Sequence, residues 1–209
     1  MEKSVYSLVL SDRVVEAVDR MAYSLGSSRS ALVNQILAEY VSYVTPEKRM
    51  RDIFQSIEHM LPQSVFQVLM QPSDAMLSLR SVLSYKYSPS VRYSVELYRD
   101  GRENIGELRV SMRSQSSSLI LYMSQFFRIW TQIEAAAGNA PDCALEDGRY
   151  TRVLRLPPGE YSPEELGEAL ARYIRAMDSA MKAFFSSLDD PRAAALMMER
   201  IYASAGINM

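Results

Sequence analysis

The stretch that decides the fold is VYSLVLS, residues 5–11, near the start of the 209-residue chain. Alternation divides this extended segment into two faces. One face holds Tyr6, Leu8 and Leu10, and the other holds Val5, Ser7 and Val9. The next run with strand character lies about seventy residues downstream, and an unpaired strand exposes N–H and C=O groups that template aggregation. This strand therefore needs a partner from outside its own neighbourhood.

Two predicted helices follow the strand, with a glycine between them. Ser11-Asp12 supplies an N-cap and a first-turn acid, and Gly26 ends the first helix. The serines at residues 27–28 offer a cap for the second helix, which we expect to end at Thr45-Pro46. The apolar faces hold Val15, Val18, Ala22 and Leu25 in the first helix and Leu32, Val33, Ile36, Leu37, Tyr40 and Val41 in the second. One strand and two short helices bury too little surface to be stable alone, so a second copy of the module is the expected partner.

The stretch from Val5 to Val41 resembles a ribbon-helix-helix DNA-binding domain, the family of the Arc and MetJ repressors and the CopG-type regulators. The resemblance is carried by the alternating strand, the acid-started first helix, the Gly26 turn and the opening of the second helix, SSRSALV. There the family favours a small polar residue, Arg, Ser and then apolar residues. The resemblance implies a homodimer whose two strands pair into an antiparallel ribbon that enters the major groove of double-stranded DNA.

The resemblance also implies which residues contact DNA. The residues that would face the bases are Val5, Ser7 and Val9, with Lys3 near the edge of the ribbon. The residues whose backbone N–H groups would bind a phosphate at the start of the second helix are Ser28, Arg29 and Ser30.

Charge is distributed unevenly along the chain. The first 45 residues carry four Lys and Arg against five Asp and Glu, a net charge of −1. Residues 80–113 carry seven against four, a net charge of +3, and the chain from residue 157 onward carries five against eight, a net charge of −3. Valine contacts a thymine methyl group but cannot hydrogen-bond a purine edge. The net charge of −1 and the outward valines leave open the alternative that residues 1–45 dimerise without binding DNA.

The sequence predicts two domains, a ribbon-helix-helix domain at residues 1–45 and an α+β domain at residues 46–209. Alternation in the second domain predicts an antiparallel sheet of about four strands packed with helices. The predicted strands are VLSYKYS (82–88), VRYSVELY (91–98), ELRVSMR (107–113) and RYTRVLRL (149–156). The predicted helices are residues 46–61, a long amphipathic helix ending at Gly138, a helix with a Ser162–Glu165 capping box, and a last helix from Asp190-Pro191. The apolar stripe of the helix that ends at Gly138 consists of Leu119, Met123, Phe126, Trp130 and Ile133.

The outer face of the predicted sheet is mixed in charge and slightly basic. It carries Lys86, Arg92, Glu96, Arg109 and Arg113. Two interpretations stay open for this face. It either binds an anion or a second DNA segment, or it is a solvated surface with cross-strand ion pairs.

The sequence offers little for catalysis or metal binding. His59 is the only histidine and Cys143 the only cysteine, so neither a cluster of imidazoles nor an intrachain disulfide can form. Neither a G-x-G-x-x-G nor a Walker A motif is present. We therefore expect no catalytic residues, no cofactor, no metal and no enzyme activity. Without an apolar run that spans a bilayer or a signal-peptide core, we expect no membrane partner and a cytoplasmic location.

These observations predict a dimeric or higher-order transcriptional regulator, a repressor by resemblance. Its second domain would sense a small-molecule or protein effector or strengthen oligomerisation. Two alternatives stay open. One is a protein-interaction module such as an antitoxin-like protein that masks a partner, and the other is an accessory protein of plasmid or mobile-element maintenance.

Overall fold

A computed structural model of the chain describes residues 7–69, 73–99, 104–139, 141–146, 148–155 and 159–207. The chain divides into two compact units, Met1–Arg49 and Met50–Met209, which we call the N-terminal unit and the body. The helices are α1 (Asp12–Ser24), α2 (Arg29–Tyr40), α3 (Pro46–Met60), α4 (Ser117–Ala136), α5 (Pro163–Ser186) and α6 (Pro191–Ala205). The strands are β1 (Gln67–Val68), β2 (Met76–Val82), β3 (Ser90–Leu97), β4 (Asn104–Met112), β5 (Cys143–Glu146) and β6 (Arg149–Arg155).

The turn between α1 and α2 is built as predicted. Gly26 has a φ of 60°, in the left-handed region where glycine has no steric penalty. The N–H of Ser27 donates to the carbonyl of Ala22 at 2.9 Å and closes the end of α1. Ser28 then caps α2, because its hydroxyl accepts a hydrogen bond from the N–H of Ala31 at 3.2 Å.

The second helix is shorter than expected. It ends at Tyr40 rather than at Thr45-Pro46, and Ser42 has a φ of 56°, which a right-handed helix does not contain. Val41, expected on the apolar face of the helix, is therefore its C-cap. Thr45 instead caps α3, since its hydroxyl accepts a hydrogen bond from the N–H of Lys48 at 3.2 Å.

The body contains a six-stranded antiparallel sheet with the order β1-β2-β3-β4-β6-β5. The predicted α+β class is confirmed, and the predicted number of about four strands is wrong. The additional strands are β1 and β5, which lie at the two edges and contain 2 and 4 residues. Segments this short show little or no alternation, so the sequence pattern does not reveal them.

The first predicted strand, at residues 82–88, is misplaced. The strand at this place in the sheet is β2, which runs over Met76–Val82. Tyr87 and Ser88 lie in the following turn with φ values of 64° and 44°, so they cannot continue a strand. Tyrosine favours strands by propensity, but the turn overrides that preference here. Lys86, expected on the outer face of the sheet, lies in this turn instead.

The strand register separates the sheet into two faces. Leu79 pairs with Tyr93, Tyr93 with Val110, and Val110 with Tyr150, and all four side chains are buried. Alternation in the sequence predicts one inner face for the strands at 91–98 and 107–113. The predicted residues that are buried there are Val91, Tyr93, Val95, Leu97, Leu108 and Val110. Met112, also expected inside, is half-buried. By the same alternation, Arg92, Glu96 and Arg109 lie on the outer face.

Helices cover the inner face of the sheet. The predicted stripe of α4 is buried and consists of Leu119, Met123, Phe126, Trp130 and Ile133. The predicted capping box of α5 is confirmed, since Ser162 and Glu165 exchange hydrogen bonds of 3.2 Å and 2.8 Å. Asp190 caps α6 by accepting from the N–H of Ala193 at 3.0 Å. These helix starts depend on residues three apart, and the sequence therefore predicts them well.

Candidate nucleic-acid interface

The N-terminal unit leaves most of its large apolar side chains in solvent. Within residues 7–49, thirteen large hydrophobic side chains are exposed, whereas the much longer described part of the body exposes nine. Among residues 7–49, the buried hydrophobic residues are Ala22, Leu32 and Ala38. A concentration of exposed apolar side chains on a folded unit marks an interaction surface.

The exposed set includes residues that the sequence assigned to an interior. Leu8 and Leu10, on the predicted inner face of the strand, are 60% and 44% exposed. On the predicted apolar face of α2, Leu32 is buried, but Leu37 is 51% exposed and Tyr40 is 88% exposed. These apolar side chains therefore follow the predicted alternation and helical periodicity, but the described residues of the N-terminal unit do not cover them.

Four of the residues predicted to contact DNA lie in or just before the strand segment. Lys3 and Val5 lie outside the described residues. Ser7 and Val9 are both exposed, and Val9 is fully so. Residues 7–10 pair with no strand in the described part of the chain. The backbone hydrogen-bonding groups of this segment therefore remain available to another chain.

The other three predicted residues lie together at the start of α2. Ser28, Arg29 and Ser30 are exposed there. The first N–H groups of a helix have no acceptor within the helix. The Ser28 hydroxyl satisfies the N–H of Ala31, whereas the N–H groups of Arg29 and Ser30 find no acceptor among the described residues. With the helix dipole behind them, such groups attract an anion.

The side chain of Arg29 is already engaged. Its Nε and Nη2 atoms donate to the two carboxylate oxygens of Asp19 at 2.6 Å each. These hydrogen bonds lower the pKa of Asp19 and raise that of Arg29. The pair links α1 to α2 in the fork geometry that arginine favours with a carboxylate. Arg29 therefore offers an anion its backbone N–H rather than its guanidinium group.

A buried polar cluster, which the sequence analysis missed, lies in the body between α4, β6 and α5. Glu134 and Arg152 form an ion pair, and both side chains are almost fully buried. Tyr150 donates to Glu134 at 3.1 Å and shares a 3.1 Å hydrogen bond with Tyr173. The indole of Trp130 donates to the Tyr173 hydroxyl at 2.9 Å. Strand alternation could have placed Arg152 inside, because it shares the face of Tyr150.

The electrostatics of this cluster follow from its burial. Burial raises the pKa of Glu134, and the charge of Arg152 opposes that shift. Arg152 also lies 4.5 Å from the centre of the Tyr173 ring, a cation–π contact. Since every named member has a hydrogen-bond or ion-pair partner, the cluster is a structural element of the core rather than a binding site.

A second buried carboxylate joins the sheet to α5. Asp178 accepts a hydrogen bond from the Tyr93 hydroxyl at 3.1 Å and another from the Lys182 ammonium group at 2.6 Å. Burial, followed by the charge of Asp178, raises the pKa of Tyr93. Both oxygens of this carboxylate are thus occupied by structural partners.

The body also contains a shallow pocket of about 310 Å³ at the end of α3, lined in part by Glu58, Phe66 and Gln67. Across the described ranges, no group of three or more His, Cys, Asp and Glu side chains could hold a metal ion. None of the described helices has the length and apolar character needed to span a membrane.

Comparison with known proteins gave no match: no protein-family model, no curated protein and no solved structure is similar to this chain.

Proposed function

We propose that this chain is a dimeric, bacterial-type DNA-binding transcriptional regulator that works in the cytoplasm. Two copies pair their residues 5–11 into an antiparallel ribbon, and the ribbon enters the major groove. The N-terminus of α2 binds the DNA backbone through the N–H groups of Arg29 and Ser30. The body strengthens the oligomer or senses a small-molecule or protein effector.

The observation that carries the proposal is the exposure of the N-terminal unit. Leu8 and Leu10 alternate with Ser7 and Val9, and the whole segment is exposed and unpaired within the described chain. A second copy satisfies both needs at once. It supplies strand hydrogen bonds to residues 7–10 and an apolar surface for α1 and α2. A two-fold dimer also uses one self-complementary surface twice, so no other partner is required.

The ribbon surface sets the kind of DNA recognition that the proposal allows. Val9 contributes apolar contact, which selects for a thymine methyl group, and the Ser7 hydroxyl can donate to or accept from a base edge. Neither makes the bidentate hydrogen bonds by which arginine or asparagine discriminates a purine. Direct reading of the bases is therefore modest, and phosphate contacts contribute most of the affinity.

A gel-shift experiment tests the proposal. A labelled duplex from the region upstream of the protein's own gene is titrated with the full-length protein across a salt series. We expect a retarded band whose affinity falls steeply as salt rises, because phosphate contacts release counterions. The variant Val9→Glu places a carboxylate on the ribbon without removing a packed side chain, and it should abolish the band.

The control for this variant is Leu121→Glu, which adds the same charge to α4 at a side chain that is 65% exposed. It should bind as the unchanged protein does. If no duplex is retarded at the lowest salt, or if Val9→Glu binds as well as Leu121→Glu, the proposed ribbon contact is wrong. The absence of any DNA binding would favour the protein-interaction module instead.

A further inference from the structure

The outer face of the sheet in the body holds a row of arginines. Arg80 on β2 pairs with Arg92 on β3, Arg92 pairs with Ser111 on β4, and Ser111 pairs with Arg149 on β6. All three arginines are exposed. Because neighbouring strands lie about 4.8 Å apart, the row extends over about 14 Å. We call Arg80, Arg92 and Arg149 the arginine row.

The acidic side chains that the structure describes form no ion pair with this row. Arg92 and Arg149 form no ion pair with any residue that the structure describes, and Arg80 donates to the neutral amide of Gln67. Glu146, the strand partner of Arg149 at the sheet edge, forms no ion pair with it. The positive charge of the row is therefore uncompensated within the described chain.

The neighbouring part of the same face is neutralised. Arg109 lies 3.1 Å from a carboxylate oxygen of Glu96 and 2.8 Å from one of Glu107. Of the two interpretations that the sequence left open, cross-strand ion pairing therefore applies at Arg109 but not along the arginine row. Charge is segregated on the face rather than mixed.

An uncompensated row of this kind has a cost to the fold. Like charges directly opposite each other on paired strands, such as Arg80 and Arg92, are destabilising. A bound polyanion would remove that repulsion. Guanidinium groups also match phosphate geometry better than ammonium groups do, because they present several donors in one plane.

We infer that the arginine row is a second DNA contact, which binds the phosphate backbone of the duplex. The inference rests on the proposed function and adds a surface that the ribbon-helix-helix resemblance does not include. The N-terminal residues 1–45 carry a net charge of −1, whereas residues 80–113 carry a net charge of +3. The arginine row therefore supplies a local phosphate attraction that the net charge of residues 1–45 does not.

The test compares two triple variants of the full-length protein. The first, Arg80→Gln, Arg92→Gln and Arg149→Gln, removes the arginine row. The matched control removes the same charge from exposed positions on the helix layer, by Arg172→Gln, Arg175→Gln and Arg200→Gln. Binding of the upstream duplex is measured by fluorescence anisotropy between 50 and 200 mM salt.

Each lost phosphate contact reduces the magnitude of the negative slope of log K against log salt by about 0.9. The slope of the row variant should therefore be smaller in magnitude by about 2.7. Between 50 and 200 mM salt, the unchanged protein should therefore lose about 40-fold more affinity than the row variant. The control should keep the slope of the unchanged protein. The row variant should also be at least as resistant to urea as the control, because a repulsion has been removed.

The outcomes separate this inference from the proposed function. If the unchanged protein binds DNA and both triple variants keep its salt slope, the arginine row is not a DNA contact and the proposed function stands. If the unchanged protein binds no duplex at any salt concentration, the proposed function fails and the arginine row with it.

Discussion

Replacing Leu37 by alanine should weaken the proposed dimer without unfolding α2. Leu37 is 51% exposed in the single chain, so about half of its side chain remains to be covered by a partner. Leucine exceeds alanine by three carbon groups at about 0.8 kcal/mol each, which gives about 1 kcal/mol for the exposed half. Two-fold symmetry doubles this to about 2 kcal/mol, or about 30-fold in the dimer dissociation constant. Alanine has the highest helix propensity, so α2 itself is retained.

The dissociation constant is measured by sedimentation equilibrium over a dilution series. The matched control is Leu121→Ala, which removes the same atoms from an exposed position on α4 of the body. We expect Leu121→Ala to dissociate at the same concentration as the unchanged protein. The reasoning is refuted if the unchanged protein is a monomer at every concentration, or if Leu37→Ala and Leu121→Ala dissociate alike.

Two further predictions concern the body. Glu134→Gln leaves the Arg152 guanidinium buried without its charged partner. In urea titrations, it should lower the free energy of unfolding by about 3–5 kcal/mol. A change below about 1 kcal/mol would show that the pair is not buried as described. Hydrogen bonds from Tyr98 and Arg109 hold the pKa of Glu107 below its usual range. The stabilisation by Glu107 is therefore fully present above the pKa of the unfolded state, and it is lost as pH falls through the pKa of the folded state. Glu107→Gln should therefore be less stable than the unchanged protein at neutral pH, and the difference should disappear as pH falls through the folded pKa of Glu107. A difference that does not vary with pH would contradict this assignment.

The two units differ in the surface that each offers to a partner. The N-terminal unit has the apolar surface that a second copy would cover, but its first 45 residues are weakly acidic. The body has its own hydrophobic core and, on an exposed sheet face, a row of arginines that forms no ion pair with the residues the structure describes. In the two proposals the N-terminal unit dimerises and binds phosphate at the start of α2, and the arginine row adds phosphate contacts from the body, so separate variants can remove either surface.

Local signals in the sequence predicted the parts of the fold that depend on neighbouring residues. The cap of α2 at Ser28, the capping box at Ser162 and the turn at Gly26 each involve hydrogen bonds or backbone angles within a few residues. In β3 and α4, the spacing of the apolar side chains likewise predicts which face of the strand or helix is buried. These predictions are correct because the hydrogen bonds, backbone angles and side-chain spacings that determine each feature involve residues of the same short segment.

Only the tertiary structure decided what depends on pairing between distant segments. The strand β6 pairs with β4 although about forty residues separate them, and this pairing brings Arg149 into line with Arg80 and Arg92. The Glu134–Arg152 pair arises in the same way, from a helix packed on a strand. For VYSLVLS, the sequence by itself determined the alternating pattern and the need for a partner. The single chain leaves residues 7–10 unpaired and Val9 fully exposed, because the hydrogen bonds and apolar contacts that such a strand requires come from a surface distant in sequence or from another chain.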